Sequence, residues 1–260
     1  MVNILKSELL KIIYLRSNWF LLIAAALFGV LNTVATAFAI DSDSGNFGLP
    51  NTETQTGVDS VYANSVGSYI FALIVGILMV TGEFKHGTAI GTFLATPRRN
   101  MVLTAKVIIG SIVGMAIQLI SFLAAIAGAA LYLSAQPNSA SPTEGRWLLY
   151  LSTALLSGAV LGIVGIGIGA LIKSQAIAIT GSLLWLFILE GLITVFLPSI
   201  GKYLLSGAIT GMLDFEIGPN SFDFDPNNYL SPALSVLVLI GYGVIFTLIA
   251  ARTTLRKDIE

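Results

Sequence analysis

The stretch WLLYLSTALLSGAVLGIVGIGIGALI, residues 147–172, contains no charged residue. A helix crosses the hydrocarbon core of a bilayer in about 20 residues, so this stretch is long and apolar enough to span a membrane. It carries the pairs Gly158/Gly162 and Gly165/Gly169, and small residues at this spacing let helix backbones approach closely. The stretch therefore predicts a transmembrane helix that packs tightly against other helices of the same chain.

Five more stretches of similar length and composition lie on either side of this one. The first of the six is too long for the core of a cleavable signal peptide. Together they predict an all-α integral membrane protein with six transmembrane helices. The predicted spans are residues 19–40, 62–81, 107–133, 147–172, 176–197 and 232–251.

The composition of the 260 residues excludes several classes of protein. Only 10% are charged and 55% are hydrophobic, whereas about 25% of a soluble domain is charged. A net charge of -1 argues against a nucleic-acid partner. The chain has no cysteine and a single histidine, His86, which excludes thiol chemistry and argues against a histidine-rich metal centre.

Lysine and arginine are divided unequally between the two sides of this bundle. Only Arg146 and Lys202, of 13 in total, fall in the loops of one side. By the positive-inside rule, both termini are predicted to be cytoplasmic. The other cations are Lys6, Lys11, Arg16, Lys85, Arg98, Arg99, Lys106, Lys173, Arg252, Arg256 and Lys257.

Residues 1–18 predict a helix that lies in the membrane interface. Apolar residues recur at helical spacing from Val2 to Ile13, with Lys6 and Lys11 on the other side. Such a helix is held by its apolar face and by cations near lipid phosphates. The alternative is a plain lipid anchor with no other role.

Residues 83–100, between spans two and three, are longer than a minimal connector. They predict a short helix over about residues 88–94 that enters through Gly87 and stops before Pro97. A short helix held below a membrane bundle suits transmission of motion from a soluble partner. The alternative is an ordinary basic loop that follows the positive-inside rule.

Residues 198–231, between spans five and six, predict an unusual external segment. Residues 199–213 are mostly apolar but too short and glycine-rich to span, which favours a re-entrant or interfacial helix. The acidic stretch that follows, residues 214–228, predicts an exposed loop.

One ionisable residue, Glu190, lies inside a predicted span, five residues after Trp185. A carboxylate at this depth is costly unless it is paired, protonated or facing water. Glu190 and Trp185 are therefore candidates for a translocation path. The alternatives for Glu190 are a structural hydrogen-bond partner for another span or, if the helix tilts, a carboxylate that reaches the outer interface.

The usual sequence signatures of catalysis are missing. Residues 169–174 lack the glycine before lysine that a phosphate-binding Walker A loop needs, and Gly201-Lys202 is followed by tyrosine. His86 has no indicated serine partner for a catalytic triad. We therefore expect no catalytic residue, no metal site and no cofactor on this chain.

Two stretches resemble the permease subunits of ABC-2-type transporters, in particular the small six-span permeases of Gram-positive bacteria. One is Ser7-Glu8-Leu9-Leu10-Lys11 before span one, which looks like that family's interfacial connecting helix. The other runs from Glu83-Phe84-Lys85-His86-Gly87-Thr88 through Leu94-Ala95-Thr96-Pro97-Arg98-Arg99 to Lys106, and looks like the loop that holds the coupling helix. The order of elements covers nearly the whole chain, so the resemblance implies one transmembrane domain over residues 1–260.

The resemblance also implies partners and a location. A second permease subunit, expected to be an identical copy, would pair with this one in the bacterial cytoplasmic membrane. A separate ATP-binding subunit would carry ATP and Mg and would push on the loop and on the N-terminal helix. The residues implied at that contact are Glu8, Lys11, Glu83, Lys85, His86, Thr88, Arg98 and Arg99.

The spans are lined by Phe, Leu, Ile and small residues, with little fixed charge. This lining favours export of an amphipathic or hydrophobic substrate such as a drug, peptide or lipid. The alternative function is a stand-alone secondary transporter or channel. That function needs polar or charged groups within the spans to couple ion movement, and only Glu190 is available. A membrane-embedded enzyme is nearly excluded by the residue inventory.

Overall fold

Helices make up all the regular structure that the described residues form. The computed structural model describes residues 1–42, 51–88, 99–136, 139–140, 146–214 and 229–256. A 3-10 turn, Ser65–Ser68, and a π turn, Trp185–Leu189, interrupt the helices. In chain order the helices are α1 (Val2–Tyr14), α2 (Arg16–Asp41), α3 (Gln55–Asn64), α4 (Tyr69–Lys85), α5 (Arg99–Ser134), α6 (Trp147–Ile172), α7 (Gln175–Leu184), α8 (Glu190–Phe196), α9 (Pro198–Gly201), α10 (Leu205–Leu213) and α11 (Pro232–Arg256).

Among the described residues, six helical segments are long and apolar enough to cross a membrane, as the sequence predicts. Spans one to six are α2, α3 with α4, α5, α6, α7 with α8, and α11. The second span begins at Gln55 instead of residue 62. The added turns are capped by Thr54, whose side chain accepts a hydrogen bond of 3.2 Å from the amide of Gly57.

The second and fourth spans form the centre of the bundle. Within the apolar window of each, 61% of residues are buried, against 22% in the first, fifth and sixth spans. The fourth span packs against the second, third and sixth. Large side chains on the outer spans, among them Phe20, Leu31 and Phe187, are exposed, as expected of surfaces that contact lipid.

A glycine seam, formed by Gly76, Gly110, Gly114, Gly158 and Gly162, joins the central spans. A Cβ atom placed on Gly114 would collide with the carbonyl oxygen of Gly158. Similar collisions would occur between Gly162 and Gly110 and between Gly76 and Gly162. The predicted close packing of glycine pairs within one chain is therefore confirmed, and the backbones touch at these positions.

The turn Ser65–Ser68 breaks the second span, and side chains of the third span satisfy part of its backbone. Gln118 Nε2 donates a hydrogen bond of 2.6 Å to the carbonyl oxygen of Val66. Ser121 Oγ lies 2.6 Å from Ser68 Oγ. All of these groups are buried in protein, which is the condition under which irregular backbone is tolerated within a membrane.

Two short helices, α9 and α10, occupy part of the segment between spans five and six. α10 packs against α11 and α6. It ends at Asp214, whose carboxylate accepts a hydrogen bond of 2.6 Å from Arg146 Nη2. Residues 215–228 lie outside the described residues, and the re-entrant placement of the segment stays a prediction.

The predicted N-terminal helix is present as α1. It packs mainly against α5, the third span, and Glu8 is its one buried residue. Its position in the membrane interface stays a prediction. The helix predicted over residues 88–94 lies, after Thr88, outside the described residues.

Candidate functional site

Four charged side chains form an ion cluster between α1 and the adjoining ends of spans two and three. Lys106 Nζ lies 2.7 Å from Glu8 Oε2 and 2.8 Å from Glu83 Oε1. Lys11 Nζ lies 2.7 Å from Glu8 Oε1 and 2.7 Å from Glu83 Oε1. Each lysine therefore bridges both carboxylates, and the cluster ties three separate helices together.

Most of this ion cluster is removed from solvent. The side chains of Glu8, Lys106 and Glu83 are 4%, 6% and 11% exposed, and that of Lys11 is 38% exposed. Partial burial alone would lower the pKa of Lys11, but hydrogen bonds and opposite charges from Glu8 and Glu83 outweigh it and raise that pKa. Two acids and two bases give no net charge, which is the arrangement that makes buried ions tolerable.

The residues predicted to contact a partner fall into two groups. Glu8, Lys11 and Glu83 belong to the ion cluster, whereas Lys85, His86 and Thr88 are exposed just beyond it. Arg98 lies outside the described residues, and Arg99 is described only as the first residue of α5. The contact itself stays a prediction for all of them: Glu8, Lys11, Glu83, Lys85, His86, Thr88, Arg98 and Arg99.

Lys106 is the member of the cluster that the predicted contact set lacks. It lies in the run Met101-Val-Leu-Thr-Ala-Lys-Val-Ile-Ile, where a lone lysine among apolar residues implies a buried partner. Its pairing with Glu8, 98 positions earlier in the chain, is a tertiary contact that no local pattern specifies.

A pocket of about 790 Å³ opens beside the ion cluster, between α1 and the end of α4. We call it the α1–α4 slot. Its wall on α4 is one stripe of the helix, since the lining positions there recur every three or four residues, whereas on α1 most residues from Lys6 to Tyr14 line it. Its lining includes Asn3, Lys6, Ser7, Leu10 and Tyr14 from α1 and Leu78, Met79, Gly82, Glu83 and His86 from the end of span two.

A second pocket, of about 600 Å³, lies on another side of the end of α4. It is lined by Phe84 and Lys85 and by residues around the turn between spans four and five, including Lys173 and Ser174. Lys173 has a φ of 44° and places its Nζ 5.3 Å from the centre of the Phe84 ring. The last turn of α4 is thus bordered by two open spaces.

At the opposite end of the bundle, Glu190 is 1% exposed and accepts hydrogen bonds from two residues. Trp185 Nε1 donates to Oε1 at 2.8 Å, across the π turn. The amide and the hydroxyl of Ser206 donate to Oε2 at 2.8 and 2.5 Å. Because Ser206 is in the first turn of α10, the carboxylate also faces the positive end of that helix.

These contacts are those of the structural alternative for Glu190. The hydrogen-bond partner Ser206 belongs to the segment that follows the fifth span, not to another span. The π turn brings the Trp185 indole to hydrogen-bonding distance of the carboxylate. After Lys106, Ser206 is the second residue of a candidate site that the sequence alone did not reveal. A place for Glu190 and Trp185 on a translocation path stays a prediction.

The variant Glu190→Gln should loosen α10 from the fifth span. A neutral amide oxygen accepts weaker hydrogen bonds than a carboxylate oxygen does. The NH2 group that replaces the other oxygen would face a hydrogen-bond donor, either of Trp185 or of Ser206. Hydrogen bonds to charged groups contribute about 1.5–3 kcal/mol, so amide hydrogen exchange in Leu205–Leu213 should accelerate roughly tenfold or more. Glu53→Gln, at an exposed position on the same side, is the matched control. Equal exchange rates in both variants would show that Glu190 does not hold α10 against the fifth span.

No protein-family model matches this chain, and no curated protein matches it either. The similarity to ABC-2-type permeases therefore rests on the sequence stretches quoted above. The regular structure of the described residues is helical, and the length and composition of six of these helical segments are those of a multi-pass membrane protein.

Proposed function

We propose that this chain is the transmembrane permease subunit of an ATP-driven ABC exporter. A separate subunit hydrolyses ATP, and two copies of the permease pair in the cytoplasmic membrane. The substrate class is amphipathic or hydrophobic, such as a drug, peptide or lipid. The chain contributes the path and the moving helices, not the ATP chemistry.

The ion cluster is the observation that carries this proposal. It links α1, the end of span two and the start of span three, which are the elements that a partner below the membrane would touch. A displacement of one of them must move the others or break buried ion pairs, and breaking one buried pair costs several kcal/mol. A push delivered at one point would therefore reach two spans at once.

The surroundings of α4 support the same mechanism. The last turn of α4 has a pocket on each of two sides, which leaves space into which it could move on those sides. The exposed residues Lys85, His86 and Thr88 continue directly from that turn. A soluble partner that binds them would hold the end of the second span.

The environment of Glu190 favours a mechanism driven by a partner over coupling to ions. A carboxylate that carries a coupling proton or cation must exchange its ligand during each cycle. Glu190 is buried and accepts three hydrogen bonds, including one from a backbone amide. This arrangement fits a fixed structural anion.

Purification of the tagged full chain from its native membrane tests the proposal. We expect an ATP-binding subunit to copurify, and Lys85→Glu to reduce the amount recovered severalfold because it reverses a charge at the proposed contact. Charge reversal at Lys85 and Arg98 together should leave residual ATP hydrolysis that no longer drives transport.

Lys202→Glu is the matched control, since Lys202 lies at the opposite end of the bundle and is half-buried. It should leave copurification unchanged. If no ATP-binding chain copurifies with the wild-type protein, the proposal is wrong and a stand-alone transporter becomes the better explanation. Equal losses for both variants would place the contact elsewhere.

A further inference from the structure

We propose that the α1–α4 slot is a binding site for one anionic phospholipid of the adjoining leaflet. The site requires only that the chain spans a membrane with this end at the lipid surface. It does not depend on an ATP-binding partner or on the transported substrate.

The slot changes from apolar to polar along its length. Leu78 and Met79 line it within the second span, whereas Lys6 and His86 line it beyond the last apolar turn. A phospholipid changes in the same direction, from apolar acyl chains to a charged phosphate group. The volume of the slot, about 790 Å³, lies within the range of roughly 300–1,000 Å³ typical of pockets for small ligands.

The charge of the lining favours an anion over a zwitterion. Among the described residues Lys6 makes no ion pair, and it is exposed at the mouth of the slot. The acids that face the slot, Glu8 and Glu83, are both held by Lys11 and Lys106. The two lysines and two acids of the ion cluster balance each other, although Lys106 does not itself line the slot, so Lys6 adds one uncompensated positive charge there. Basic pockets between helices at a membrane surface bind anionic headgroups.

Nothing in the described part of the chain fills this space. α1 packs against α5, and it meets α4 mainly through the bridge from Lys11 to Glu83. A Cβ atom on Gly82, in the wall of the slot, would have no other atom within 4 Å. Leu10 and Tyr14, on the opposite wall, are 39% and 79% exposed. Lipid is the solvent that reaches apolar surface at this level.

Native mass spectrometry of the purified full chain provides the test. The chain is titrated with phosphatidylglycerol or with phosphatidylcholine of the same acyl composition. The wild-type chain should bind the first phosphatidylglycerol at least about fivefold more tightly, because one lysine near an anionic lipid contributes a factor of this order. Lys6→Gln should abolish that preference, and Gly82→Leu should weaken binding of both lipids by filling the slot.

Two controls separate the slot from general lipid contact. Gly241→Leu adds the same side chain at another position where a Cβ atom would meet nothing within 4 Å, and Lys202→Gln removes a cation at the opposite end. Both should bind lipid as the wild type does. A monodisperse size-exclusion profile checks that each variant is folded.

Three results would overturn the proposal. One is equal affinity of the wild type for the two lipids. Another is a phosphatidylglycerol preference that survives Lys6→Gln, or lipid binding that Gly82→Leu leaves unchanged. The third is full displacement by glycerol phosphate at a concentration equal to that of the lipid, which would identify a site for a soluble anion. Photocrosslinking of phosphatidylglycerol to Leu10, Leu78 or Met79 would instead support it directly.

Discussion

The variant Lys106→Met should unfold at a temperature roughly 5–10 °C below that of the wild-type chain. Lys106 is 5% exposed and bridges two carboxylates, those of Glu8 and Glu83. Its removal leaves two buried acids with only Lys11 to neutralise them. Removing one partner of a buried ion pair costs about 3–5 kcal/mol, because the remaining charge stays desolvated.

A second substitution in the Lys106→Met chain should recover much of this loss. Glu8→Gln restores a neutral cluster, so the double variant should be more stable than Lys106→Met alone. This sign is opposite to the one expected in the wild-type background, where Glu8→Gln by itself leaves two lysines that share the single carboxylate of Glu83. Such coupling identifies the cluster as one unit.

Thermal unfolding in detergent, followed by the size-exclusion profile after heating, measures these effects. Lys202→Met is the control, since Lys202 Nζ lies 5.5 Å from the centre of the Tyr203 ring and forms no ion pair among the described residues. A Lys106→Met chain as stable as Lys202→Met would show that the cluster does not hold the helices together.

The number and approximate bounds of the six spans could be predicted from the sequence because each span is a long apolar run. A membrane-crossing helix must satisfy its own backbone hydrogen bonds, so apolar length alone identifies it. The glycine pairs likewise predicted close packing, since only glycine lets backbones touch. In both cases the deciding property is local to the helix.

The breaks within spans two and five could not be predicted in the same way. Ser65–Ser68 and Trp185–Leu189 contain no proline, and a glycine within a membrane helix does not by itself break it. The 3-10 turn is stabilised by Gln118, 52 positions from Val66 in the chain. The π turn accompanies the pairing of Trp185 with Glu190 and of Glu190 with Ser206. These partners are tertiary and become visible only when the helices are assembled.

The ion cluster illustrates how far local reasoning reaches at a candidate site. Glu8, Lys11 and Glu83 were predicted to contact a partner because the resemblance to ABC-2-type permeases implies it. The structure pairs them with one another and with Lys106. Their effect on a partner would therefore pass through the orientation of α1 and α4, and Lys85 and His86 are the better candidates for direct contact.

The variant Gly114→Ala should destabilise the bundle by roughly 2–4 kcal/mol, although it adds only one methyl group. The new Cβ atom would collide with the carbonyl oxygen of Gly158, which is backbone and cannot rotate away. The third and fourth spans must then separate along the whole glycine seam. Unfolding in a titration with a denaturing detergent measures the loss.

Gly181→Ala provides a control of the opposite sign, because it adds the same methyl group where no atom lies within 4 Å. Alanine is a better helix former than glycine by up to about 1 kcal/mol, so this variant should be as stable as the wild type or slightly more stable.

Gly158→Ala should resemble Gly114→Ala, since its Cβ atom would lie 2.7 Å from that of Gln118 and would also meet the backbone of Gly114. The double variant should lose less than the sum of the two losses, because the first methyl group already opens the space that the second requires. Additive losses would mean that the two glycines act at independent contacts and that the seam is not a single closely packed surface.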